Sequence, residues 1–153
     1  MKALKWIFLI AGLALFAISF KLPAIKEIAK PGATGNTLYG FNCAALALRL
    51  PWGKEGMTFF HSEPVTYFAV LISGWINPVF VLGLLVLLIR PGSRLNWLFR
   101  LLIPLMFVAC WIVFQKIHFY AYTGFYAWMC GILMAMFSDL WVKRPAAVRI
   151  AES

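Results

Sequence analysis

Four long apolar segments predict an all-α fold for this chain, an integral membrane bundle of four transmembrane helices. The sequence is 63% hydrophobic and only 12% charged, whereas soluble domains carry about a quarter charged residues. A soluble core of this composition would have too few polar residues to cover it. We therefore expect a single membrane domain over residues 1–153, with helices over about 6–23, 66–89, 97–115 and 119–142.

The first helix and the long loop that follows it are marked by lysines and turn-forming residues. Lysines flank the apolar run from Trp6 to Phe20, and Leu22-Pro23 closes it. The loop over 24–65 is predicted to be extracytoplasmic, and it contains a short apolar stretch from Phe41 to Leu50. This stretch is too short to cross a bilayer, so it predicts an interfacial or re-entrant helix.

The second helix is uncharged from Pro64 to Ile89 and has a proline near its centre. Pro78 removes one backbone hydrogen bond and frees the carbonyl of Gly74, beside Asn77. A broken helix of this kind can bind a ligand or an ion in a transporter. The alternative is a structural hydrogen bond from Asn77 to another helix, and we favour that interpretation.

The fourth helix carries small residues at a spacing of four. Thr123, Ala127, Gly131 and Ala135 share one face, which predicts a close helix–helix interface within the chain or between copies. Asp139 continues the stripe, and with Asn77 and Gly74 it completes a candidate intramembrane polar site. For Asp139 we favour an ion pair at the membrane boundary with Lys143, which lies one turn further on.

Basic residues indicate how the chain lies in the membrane. The formal net charge is +9, and basic residues are densest at the N-terminus, around 90–100 and over 143–153. This distribution predicts that both termini are cytoplasmic and that anionic lipid is bound on that face. Because the charges lie beside apolar segments, nucleic acid is not expected as a partner.

Groups that could carry chemistry are few and scattered. The cysteines show no C-x-x-C spacing, and two histidines with few acids cannot build an activated nucleophile, so the protein is predicted not to be an enzyme. His61, His118, Cys43 and Glu63 fall on the predicted outer side. They could form a metal site, but only His61-x-Glu63 has ligand spacing, so no metal or cofactor is expected.

Several short motifs resemble those of a group of small bacterial four-helix integral membrane proteins of uncharacterised function. They are Leu22-Pro23, the glycine-rich turn with the apolar stretch after it, Trp75-Ile76-Asn77-Pro78, and the run from Tyr122 to Trp128. The similarity covers most of the chain. It implies a multi-pass protein of the bacterial inner membrane and no particular activity.

Three functions remain open at this point. The first is a non-enzymatic membrane subunit that acts through protein contacts, as an accessory component, a toxin-immunity protein or an antiviral membrane element; its partner would be another protein or further copies. The second is a small oligomeric channel or carrier, with Asn77 and Asp139 facing a shared lumen. The third is an outward-facing metal or haem module that uses His61 and His118.

Overall fold

The computed structural model describes residues 2–27, 35–91, 93–116 and 119–140, and this part of the chain is mostly helical. The helices are α1 (Lys2–Ser19), α2 (Gly40–Arg49), α3 (Lys54–Ser62), α4 (Pro64–Gly74), α5 (Ile76–Ile89), α6 (Arg94–Lys116) and α7 (Thr123–Met136). Three short strands complete it: β1 (Pro23–Glu27), β2 (Thr37–Tyr39) and β3 (Phe119–Ala121). The predominance of helix confirms the all-α part of the predicted fold class, and the strands were not predicted.

The strands form one antiparallel sheet in the order β2-β1-β3. Ile25 of β1 pairs with Leu38 of β2 on one side and with Ala121 of β3 on the other. The sheet ties the end of α1 to the starts of α2 and α7, and it gives these connecting segments partners for their backbone amides and carbonyls. As a result α1 ends at Ser19 rather than near residue 23, and α7 begins at Thr123 rather than near 119.

The predicted second helix consists of α4 and α5, bent by 41° at Trp75. The bend has a local cause, since Pro78 has no N–H to donate to the carbonyl of Gly74. Hydrogen bonding resumes at once, with the Val79 amide donating to the Trp75 carbonyl at 3.0 Å. The proline therefore sets the position of the bend, as expected from the sequence.

Helix lengths support fewer membrane crossings than the sequence predicts. Among the described helices, α6, with 23 residues, is long and apolar enough to span a bilayer, and the bent pair α4–α5 adds a second span if it counts as one. The other two predicted spans, α1 and α7, are apolar but shorter. The 14 residues of α7 rise about 21 Å, less than the ~30 Å of a hydrocarbon core. A bundle of four full-length spans is therefore not supported by helix length.

The core of the protein lies where α1, α5, α6 and α7 meet. Its fully buried side chains include Phe80 of α5, Ile103 of α6 and Ile132 of α7. The most extensive helix pair is α1 with α7. The first and last described helices therefore close the bundle against each other.

Candidate functional site

Asn77 lies in the first turn of α5 and is bonded to α7. Its Oδ1 accepts a hydrogen bond from Nε1 of Trp128 at 2.8 Å. Because an indole nitrogen only donates, this bond fixes the orientation of the amide, with the oxygen toward Trp128. For the Nδ2 group the structure records no partner among the described residues.

A partly open cavity of about 120 Å³ lies beside Asn77, lined by residues of β1 and of most of the helices. Its wall is apolar and includes Ile25 of β1, Val113 and Phe114 of α6, and Phe125 of α7. None of the described residues that line it is charged. The site around Asn77 is therefore an apolar pocket with one amide in its wall.

The short helix α2 covers this cavity and rests directly on the bend between α4 and α5. A Cβ atom placed on Gly74 would lie only 2.4 Å from the carbonyl oxygen of Ala47 in α2. The side chain missing at Gly74 is what allows the two backbones to touch. None of the residues of α2 is fully buried, so this helix is a partly exposed cover over the cavity.

Gly74→Ala is expected to lift α2 from the bend, because the new methyl group would overlap the Ala47 carbonyl. Cys43 lies in α2 and lines the cavity, so its reaction with a water-soluble maleimide should become several-fold faster. The rate should be measured with Cys110 and Cys130 replaced by alanine. Gly53→Ala is the matched control, because the nearest atom there is 3.7 Å away. Equal rates in the two variants would contradict this role for Gly74.

Cys43, Glu63 and His61, which were considered as metal ligands, have different surroundings in the structure. Burial raises the pKa of the Cys43 thiol to about 11, so it is protonated at neutral pH. A hydrogen bond from Thr66, and then the charge of Lys116 at 3.4 Å, lower the pKa of Glu63. The exposed ring of His61 lies edge to face against the ring of Phe60. In the described ranges no three such ligands come together, and His118 lies outside those ranges.

Asp139 has a different partner from the one predicted. Arg100 of α6 donates from Nη2 to Asp139 Oδ1 and from Nε to the carbonyl oxygen of Met136 at 2.9 Å. The side chains of Arg100 and Asp139 are 4% and 22% exposed. The predicted partner, Lys143, lies outside the described residues. From the sequence, Arg100 belongs to the basic cluster around 90–100 that predicts a cytoplasmic face. In the structure α6 begins at Arg94, and Arg100 is buried inside the bundle.

More polar groups lie near this ion pair. Asn96, one turn before Arg100, donates from Nδ2 to the Arg90 carbonyl at 3.0 Å. Its Oδ1 and the hydroxyl of Ser138 are buried and have no recorded partner in the described part of the chain. Asn77 is separated from Arg90 by the length of α5, about 20 Å. Asn77 and Asp139 therefore belong to two different sites rather than one.

The small-residue stripe of α7 faces α1 of the same chain. A Cβ atom on Gly131 would lie 2.6 Å from the Phe16 amide nitrogen and 2.8 Å from the Gly12 carbonyl oxygen. In return, a Cβ atom on Gly12 would lie 2.7 Å from the amide nitrogen of Ala135. The two backbones are in direct contact. In the same stripe Ala127 is half-buried, and Thr123 is exposed at the start of the helix.

Three residues that hold these sites together were missed or misplaced by the sequence reasoning. They are Trp128, Arg100 and Gly12. An uncompensated polar residue in an apolar run was the signal for Asn77 and Asp139, but it does not identify the partner. Gly12 could have been found as the one glycine of the first apolar run, from Trp6 to Phe20.

Comparison with family models, with curated proteins and with solved structures finds no match to this chain. The resemblance to small bacterial four-helix membrane proteins therefore stays a prediction. Function has to be inferred from the geometry of the two polar sites and from the exterior of the bundle.

Proposed function

We propose that this chain is a multi-pass integral membrane protein that acts as a non-enzymatic subunit through protein contacts. In this proposal α1, the bent pair α4–α5, α6 and α7 each cross the membrane, and both termini lie in the cytoplasm. The observation that carries the proposal is the apolar exterior. Leu101 is 75% exposed, Ile89 74% and Leu105 64%, on a chain whose interior is also apolar.

Water is a poor solvent for such an exterior. Large exposed apolar side chains in such number are typical of a surface that meets lipid or another protein. The exposed Trp97, near the start of α6, suits the interface between headgroups and hydrocarbon. The exposed Arg94 at the start of α6 suits the cytoplasmic surface.

Shorter helices can still serve as spans in this arrangement. The turn over residues 137–140 continues α7 at one end, and β3 precedes it at the other. Segments buried against other parts of the protein tolerate non-helical backbone at membrane depth, because their polar groups are bonded internally. Local thinning of the bilayer would make up the remaining length.

A role in binding rather than transport follows from how the polar groups are used. A lumen would need Asn77 and Asp139 to face the same path, whereas Asn77 bonds Trp128 and Asp139 bonds Arg100 at a separate site. The small-residue stripe at Gly131 packs against α1 of the same chain, so this face of α7 is not free to bind a partner. Contacts with a partner would therefore use the lipid-facing surface of the bundle.

Two measurements test this function together. Reporter fusions after residues 5, 94 and 140 should signal the cytoplasm, and one after residue 54 should signal the outside. Protein extracted in mild detergent should carry a stoichiometric partner or second copy, with a protein mass well above 17.3 kDa. A monomer without any co-purifying protein would overturn the subunit proposal, and a cytoplasmic signal after residue 54 would overturn the topology.

A further inference from the structure

We infer that the cavity beneath α2 binds an uncharged apolar group that carries one hydrogen-bond acceptor, such as the carbonyl of a small membrane-dissolved ketone. This inference rests on the membrane location proposed above but not on the subunit role. It is drawn from three properties of the cavity: its size, the chemistry of its wall, and the partly exposed cover that α2 provides.

The size of the cavity sets the size of the ligand. Its volume is about 120 Å³. An apolar protein cavity of ~150 Å³ stays dry and takes up benzene. The ligand group should therefore contain about six or seven heavy atoms.

None of the described residues of the wall is charged, and among their side-chain N–H and O–H groups only Asn77 Nδ2 has no recorded acceptor. The hydroxyl of Ser19 donates to the Phe16 carbonyl at 2.6 Å, and that of Ser73 donates to the Val70 carbonyl at 2.9 Å. The Cys43 thiol is directed to the Leu38 carbonyl at 3.8 Å. The hydroxyl and thiol protons of these three residues are therefore donated to backbone carbonyls and not to a ligand.

Asn77 differs from the other polar groups of the wall. Its oxygen is held by Trp128, so what the amide can offer a ligand is the N–H of Nδ2. An N–H in an apolar pocket gains most from an uncharged acceptor, because a charged ligand would lose its hydration without compensation. A carbonyl on an otherwise apolar ring accepts a hydrogen bond and carries no charge.

The cover of the cavity indicates the direction of entry. Phe41 and Leu46 of α2 are exposed, by 68% and 44%. An apolar surface of this kind places a short helix at the membrane interface. A ligand dissolved in the lipid could therefore pass beside α2 without opening the core of the bundle.

Binding can be followed through the indole signal of Trp128. We would label the tryptophans with ¹⁵N, assign the Trp128 Nε1–H signal by its loss in Trp128→Phe, and titrate cyclohexanone in alkyl-maltoside micelles. Methylcyclohexane is the matched probe, since it has the same shape and number of heavy atoms but no acceptor. We expect a saturable shift at Trp128 but not at the other indoles, with cyclohexanone binding about fivefold more tightly.

Two variants make the test specific. Asn77→Leu should remove the preference for the ketone, while Ala44→Phe, from α2, should fill the cavity and abolish binding of both probes. Equal affinity for the two probes in the unmodified protein, or no saturable shift at Trp128, would overturn the inference. Native mass spectrometry distinguishes a lipid from a small dissolved molecule as the source of the bound group. A lipid retained at the site would add its mass to that of the protein, and the Ala44→Phe variant should lack this added mass.

Discussion

Gly131→Leu should prevent the bundle from closing, and it is the substitution for which we expect the largest effect. The contact at this position is between backbones, with the Phe16 amide nitrogen 2.6 Å and the Gly12 carbonyl oxygen 2.8 Å from the place of a Cβ atom. No side chain can rotate away to make room. We expect a loss of at least about 3 kcal/mol, the upper end of the range for overpacking, seen as low yield and a lower melting temperature in detergent.

The neighbouring residue provides the control for this prediction. Cys130 is exposed on the same helix, so Cys130→Leu adds a similar side chain at nearly the same depth without touching α1. It should keep the yield and melting temperature of the unmodified protein. If Gly131→Leu instead gave a folded monomer at normal yield, α7 would not be packed on α1 through this face, and the stripe would be an external surface.

Breaking the ion pair between Arg100 and Asp139 should produce the second largest loss of stability. In Asp139→Leu the guanidinium of Arg100, only 4% exposed, would lose its carboxylate. It would keep the uncharged Met136 carbonyl and the rings of Trp97 and Phe137 as recorded partners. An uncompensated buried charge typically costs about 3–5 kcal/mol. Since Asp139 is 22% exposed, we expect the lower end of this range. Thermal unfolding in detergent would measure it.

The double variant tests whether the single variants lose stability because one charge of the pair is left unpaired. Combining Arg100→Met with Asp139→Leu removes both charges and keeps side chains of similar volume, so it should recover most of the stability lost in either single variant. Arg94→Met, at the exposed start of the same helix, should have little effect. If the double variant were less stable than both single variants, the pair would not be the reason for the loss.

The sequence predicted the local features of this fold because each has a local cause. Pro78 cannot donate a backbone hydrogen bond wherever the rest of the chain lies, so a bend near Gly74 could be expected from the position of this proline in the sequence. The stretch from Phe41 to Leu50 is apolar but too short to span, and the structure has a ten-residue helix at this place. In both cases the deciding interactions lie within a few residues.

The partners of the candidate polar residues could not be predicted from the sequence. The sequence singled out Asn77 and Asp139 because a polar group in an apolar run needs a partner. It could not supply that partner, since Trp128 lies 51 residues from Asn77, and Arg100 lies 39 residues from Asp139. Lys143 was preferred for Asp139 because helical spacing can be read from a sequence, while the approach of α6 to the end of α7 cannot.

What the sequence by itself determined is the helical class of the protein, its apolar exterior, the bend at Pro78 and the presence of small residues on one face of α7. All of these follow from composition and from the 3.6-residue period of a helix. The tertiary structure alone decided that Gly131 meets Gly12, that Arg100 is buried, and that three short strands join the ends of the helices. These depend on contacts between segments far apart in the chain, and a contact of that kind leaves no periodic signal in either segment.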